Sequence, residues 1–227
     1  MIIGYDQVLK ASGKVGGAKV VFEGQPKLLI GGFDFDLKDL PGPGVVLPCG
    51  TPVYCDEANR TITPLITLKV QAVDGEDAKK ITLFDNGFNG PAVKVGDKLA
   101  IINDTLAHEY SNTAAVGSTP ASYAFVSVAS IDGNEIVLDN ELASLAANDI
   151  LVVVVENESN HKAAIKATPN VLLPYDKVYD KAATIVHGDG AYSCDRPVLE
   201  RRMPPITAAI KTALANAGCT FKWSDRK

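Results

Sequence analysis

Six consecutive apolar residues, Ile150-Leu-Val-Val-Val-Val155, constrain this chain more than any other stretch. Four successive valines are stiff about χ1 and favour the extended backbone of a strand. A strand with one wet face alternates apolar and polar residues, and this run does not. It therefore predicts a strand covered on both faces. Left bare, the same run would template aggregation. Six residues also fall far short of the roughly 20 that a membrane-spanning helix needs.

The residues around this run read as short strands joined by tight turns. Val53–Asp56, Thr61–Val73 and Ile81–Phe84 carry β-branched or alternating patterns, with a polar turn at 74–77 and an Asp85-Asn86-Gly87 turn signal. Val93-Lys-Val-Gly-Asp97 forms a turn leading into an apolar strand that ends at Ile102. Tyr123–Ile131 and Glu135–Leu138 flank Asp132-Gly133-Asn134, a hairpin signature. Asn140–Ala147 reads as a short helical turn, and Lys181–His187 and Arg196–Glu200 as later strands. Such short, regular strands predict a β-barrel or sandwich over residues 81–157, either part of the body or inserted into it.

The two ends differ from this body. Residues 1–46 hold eight glycines between positions 13 and 44, with Pro41-Gly-Pro-Gly44 as a turn or hinge. Ala18–Phe22 and Lys27–Ile30 are short strand candidates, but the segment has too little apolar surface for its own core. It reads as an extended arm lying on the body or on another subunit. Near the other end, Pro204-Pro205 precede a helix pattern over Ile206–Ala217. Ile206, Ala209, Ile210, Ala213 and Leu214 share one face, and Gly218 caps the end. Thr220–Trp223 reads as a last strand. The predicted architecture is mainly β. It has an arm over 1–46, a short-stranded β-barrel or sandwich body over 47–200, and a C-terminal helix and tail over 201–227.

Charge and reactive residues bound the function. The chain has 22 Lys and Arg against 27 Asp and Glu, a net charge of −5, and its densest basic run is Arg201-Arg202. Nucleic acid is not the expected partner, because phosphate neutralisation needs clustered cations. Met1-Ile-Ile-Gly-Tyr-Asp6 lacks the basic start and apolar run of a signal peptide, and four unpaired thiols suit intracellular synthesis. Cys49, Cys55, Cys194 and Cys219 fit no zinc spacing, and His108, His161 and His187 stand apart from one another. His187 and Cys194 are the one nameable base and nucleophile pair, across a His187-Gly-Asp-Gly190 stretch that reads as a tight turn, but no third group orients them. Asp34, Asp36 and Asp39, and Asp74, Glu76 and Asp77, lack the glycine and terminal glutamate of a calcium loop and read as solvated turns. Gly13-x-x-Gly16-Gly17 lacks the Lys-Ser/Thr ending of a phosphate loop. The expectation is a protein without enzyme activity, cofactor or metal.

Four motifs, in order, resemble the head fibre and auxiliary capsid (decoration) proteins of tailed bacteriophages, notably those of phages of gut Bacteroidetes and crAss-like phages. They are Gly31-Gly-Phe-Asp-Phe-Asp-Leu37, Leu47-Pro-Cys-Gly-Thr-Pro-Val-Tyr-Cys-Asp-Glu-Ala58, Val93-Lys-Val-Gly-Asp97 and Val198-Leu-Glu-Arg-Arg-Met-Pro-Pro205. The chain departs from the family at Cys49, where a small residue is expected, and after Gly218. The resemblance implies a structural virion protein made in the host cytoplasm. It would sit on the outer capsid surface, bound to the major capsid protein as a homotrimer, with no membrane partner. Arg201, Arg202, Met203, Pro204 and Pro205 are the candidate capsid or subunit interface, since Arg and Met are enriched at interfaces. A receptor- or glycan-binding module displayed on the virion is the alternative, with Asp104–Thr119 as its loop.

Overall fold

The computed structural model describes residues 19–85, 87, 90–102, 104–112, 123–157 and 160–224. Residues 1–18 of the expected arm, including the glycines at 13, 16 and 17, lie outside them, as do residues 113–119 of the candidate loop.

Two barrels are nested in one chain. The first is a closed barrel of five strands: β1 (Pro26–Phe35), β2 (Pro52–Asp56), β3 (Thr61–Pro64), and two strands from much later in the sequence, Val171–Leu172 and Val186–Cys194. Between β3 and that later pair the chain builds a second sheet. Its strands are β4 (Thr67–Val73), β5 (Lys80–Leu83), β6 (Lys98–Ile101), β7 (Tyr110–Ser111), β8 (Phe125–Asp132), β9 (Glu135–Leu138), β10 (Ile150–Asn157) and β11 (Lys162–Ala164). The order runs β4-β5-β9-β8-β6-β10, and β4 pairs with β10 to close the ring. β11 and β7 continue from the far end of β10. The late pair that completes the first barrel is then β12 (Val171–Leu172) and β13 (Val186–Cys194).

The mainly β class with a barrel body is thus present, but the boundaries differ from those expected. The second barrel starts at Thr67, not at 81, because the Thr61–Val73 run splits. Residues 61–64 pair within the first barrel and residues 67–73 within the second. Leu65 and Ile66 carry the chain across, both buried. The described part of the expected arm is not an arm either. β1 is the longest strand of the molecule, pairing antiparallel with β13 and parallel with β3, and Phe33 and Phe35 are core residues. Apolar surface too sparse for its own core is sufficient for one wall of a shared one.

β10 accounts for the valine run as far as Val154, whereas Val155, expected to be covered, is 54 % exposed. Leu151 belongs to the interior of the second barrel, whereas Val152 and Val154 belong to the larger core around the first. Its neighbours split in the same way: Leu99 of β6 and Val126 of β8 face the second interior, and Ala100 and Phe125 face the first core. The strands β6, β8 and β10 therefore form a party wall, apolar on both faces.

The hairpin at 132–135 closes through Gly133-Asn134, with Gly133 at φ +58°. Asn140–Ala147 makes no helix: Leu142 bridges to Tyr123 and Asp149 accepts from the Ala146 amide. His187-Gly-Asp-Gly190 is mid-strand in β13 rather than a turn. A Cβ on Gly190 would lie 2.4 Å from Val171 Cγ2, so these glycines leave room for side chains filling the barrel.

The end of the chain seals the first barrel. β14 (Val198–Leu199) pairs in parallel with β15 (Trp223–Ser224), two residues of the expected Arg196–Glu200 strand. Between them lies the one α-helix among the described residues, α1 (Ala208–Asn216). Thr207 is its N-cap, so Pro204 and Pro205 precede the helix instead of opening it. Its C-terminus is a Schellman motif: Gly218 N–H donates to Ala215 O and Cys219 N–H to Leu214 O. Ile210 and Leu214 bury the expected apolar face against the core of the first barrel.

Candidate functional site

The segment Arg201–Pro205 runs across the junction of the two barrels, and its residues take different roles. A 3-10 turn, Glu200–Arg202, follows β14. Lys211 of α1 reaches back to Glu200 Oε2 at 2.7 Å, with its ammonium 5.3 Å from the Trp223 ring centroid. This contact fixes the turn against the helix. Met203 and Pro204 are buried. Met203 packs over Gly50, which sits at φ +84° and where a Cβ would fall 2.6 Å from the Met203 Cβ. Pro205 O accepts a hydrogen bond from the buried Thr67 Oγ1 at 2.6 Å, linking the segment to the first residue of the second barrel. Arg202 Nη1 donates to Val20 O at 3.3 Å. Arg201 is exposed.

Of the five predicted interface residues, Met203 and Pro204 are therefore internal packing. Their apolar surface is spent within the chain itself, whereas Arg201 is exposed and Arg202 and Pro205 are half-buried.

The same segment forms one wall of a cleft of about 560 Å3. Residues of β4, Leu83 of β5, residues 84 and 90–92 after it, and Asn134 and Asn148 also line it. Two of the lining residues, Lys69 and Phe84, were not singled out by sequence. Phe84 is 55 % exposed, and the Lys69 ammonium stands 5.5 Å from its ring centroid. The only sequence signal for them was a large aromatic placed just before a turn.

Residues in or beside the family-like motifs make two separate contacts. Gly50 of the second abuts Met203 of the fourth. Lys94 of the third donates to Leu40 O at 2.9 Å and to Lys38 O, just past the first. Asp97 closes the third motif's turn by accepting from the Lys94 amide. Burial pushes its carboxyl above the usual range, opposed by that hydrogen bond and by the Lys94 charge.

The reactive residues are dispersed or occupied. His187 and Cys194 lie seven residues apart on β13, roughly 20 Å along a strand, and His187 is exposed while Cys194 is buried. His187 Nδ1 instead contacts Asp34 Oδ1 at 2.5 Å across the β1–β13 pair. Asp39 pairs with Lys166 at 2.5 Å, and Asp36 accepts from the Lys38 amide. Asp74 accepts from the Glu76 amide, which holds its carboxyl below the usual range. His161 lies 3.3 Å from Glu156. All four cysteines are free thiols. Burial above all, and then the nearby Asp176, pushes Cys49 up to about 12; burial and then Asp189 do the same for Cys55, and burial alone pushes Cys219 to about 11. Such thiols are poor nucleophiles and poor metal ligands. Among the described residues, no three His, Cys, Asp or Glu side chains gather into a metal-holding group. No helix among them is long and apolar enough to cross a membrane.

Comparison with family models, curated proteins and solved structures gives no match for this chain.

Proposed function

We propose that this protein is a structural component of a phage virion. It binds the outer surface of the head through the major capsid protein as a homotrimer, decorating or reinforcing the shell or anchoring a head fibre. The observation that carries the reading is the ordered series of four motifs along the sequence. Segments spread from residue 31 to residue 205 resemble one family in order, and two of them touch in the fold, Gly50 of the second against Met203 of the fourth. A resemblance located in framework positions is one of architecture, which is what a scaffold on a shell requires. A decoration protein also works by repetition: many modest contacts on one particle give an avidity that no single contact needs to supply. Nested barrels sharing one wall suit such a role, because they offer a stiff body whose outer turns vary without disturbing the core.

Quantitative mass spectrometry of purified heads tests the reading. The expected result is this polypeptide at a fixed stoichiometry to the major capsid protein, retained through a density gradient. Its absence from gradient-purified heads, with the protein left in the soluble lysate, overturns it.

A further inference from the structure

The cleft between the barrels has two cations and one anion in its lining. The chain as a whole is acidic, at −5. The charged residues lining the cleft are Lys69, Glu200 and Arg201. Glu200 is neutralised from behind by Lys211 at 2.7 Å. Neither Lys69 nor Arg201 has a carboxylate partner among the described residues, so the cleft presents two uncompensated cations. Lys69 is held in place by the Phe84 ring, which is itself more than half exposed. The accessible apolar lining comes from Phe84 and the half-buried Pro91 and Ile206, and Asn134 and Asn148 also line the cleft.

An occupant that matches this pattern carries carboxylates for the two cations, an apolar side chain for the Phe84, Pro91 and Ile206 surface and backbone polar groups for the asparagines. A free inorganic anion would satisfy the cations and leave the carbon surface wet. A peptide segment satisfies both, and about 560 Å3 holds a few side chains. We propose that the cleft receives an acidic, apolar-anchored stretch of the capsid subunit, with Lys69 and Arg201 as its anion contacts. This inference rests on the capsid-binding reading and adds the surface and the chemistry through which binding occurs.

Reconstitution onto heads that lack the protein tests it, comparing wild type with the double variant Lys69→Glu/Arg201→Glu. Thermal unfolding checks that the variant folds, and Lys69→Gln/Arg201→Gln serves as a milder second variant. Lys181→Glu/Lys222→Glu makes the same charge change at two exposed lysines that do not line the cleft. The expected result is a loss of head affinity of about tenfold or more for the cleft reversal, with the control within about twofold of wild type. Wild-type binding should weaken between about 50 and 500 mM salt, and the Gln variant should lose much of that dependence. Wild-type affinity in the folded cleft variants overturns the inference and leaves the capsid reading intact. If the cleft variants instead change self-association in sedimentation while binding heads normally, the occupant is a second copy of the chain, and the inference is overturned. Failure of the wild type to bind heads at any salt removes the capsid reading, and the inference falls with it.

Discussion

At the scale of the residue, the most constrained position is Gly50. Its backbone is left-handed and its α-carbon faces Met203 at a distance that leaves no room for a methyl group. Gly50→Ala should therefore cost about 2–4 kcal/mol, combining left-handed strain with overpacking. Gly75→Ala, at a turn with open space around it, should stay within about 0.5 kcal/mol of wild type. Urea unfolding of both variants checks the contrast. The thiols give a second residue-level expectation. An unfolded chain titrates its cysteines near 9, whereas in the folded state Cys49 and Cys55 titrate near 12. As pH rises past 9, the unfolded state loses protons first. The stabilisation is complete below pH 9 and is lost progressively toward pH 12. The urea midpoint should therefore fall between pH 9 and about pH 11, and Cys55→Ala should flatten that fall.

At the scale of the element, local chemistry was legible wherever one residue sets the geometry. The Gly133-Asn134 hairpin, the Val-Gly-Asp turn ending at Asp97, the apolar face of α1 and the Gly218 cap all follow from sequence, because φ preference and periodicity act over a few residues. β10 was legible for the same reason: its valine run states that both faces are covered, though not by what. β13 was misread, since His187-Gly-Asp-Gly190 resembles a turn until Val171 and Phe35 are seen filling the space where side chains would stand. That constraint comes from distant strands and leaves no local trace. The proline pair misplaced the start of α1 by two residues, because Thr207 is the better cap and accepts from the Ile210 amide at 3.3 Å. Thr207→Ala should cost about 0.5–2 kcal/mol, read as a shift in the thermal midpoint. The candidate site was legible only in part. Arg201-Arg202 is conspicuous in an acidic chain, but nothing local separates the buried Met203 from the exposed Arg201, or brings Lys69 and Phe84 into one cleft with them.

At the scale of the whole molecule, the party wall decides how the two barrels behave. Val152, Val154, Ala100 and Phe125 come from the inserted barrel but are buried in the core around the first. Neither barrel can open without wetting the other's apolar surface. Calorimetry should show one cooperative transition. Ile62→Ala in the first barrel and Ile136→Ala in the second, both fully buried, should lower that same transition, each by about 2–5 kcal/mol. Two resolved transitions, each sensitive to only one substitution, would refute the coupling.

The nesting also sets an order in time. On the ribosome β1, β2 and β3 emerge first, yet Pro26 must wait for Cys194 and Val53 for Val171. Meanwhile the intervening segment supplies all its own strand partners and is free to fold as it is translated. The nascent chain therefore carries three strands with unsatisfied edges for most of its synthesis, and the first barrel shuts only when the last quarter has been made. A premature stop after residue 164 leaves a fragment whose second barrel has its strand partners but a bare apolar wall at Ala100, Phe125, Val152 and Val154, beside an open first barrel, a species for chaperones and proteases to clear.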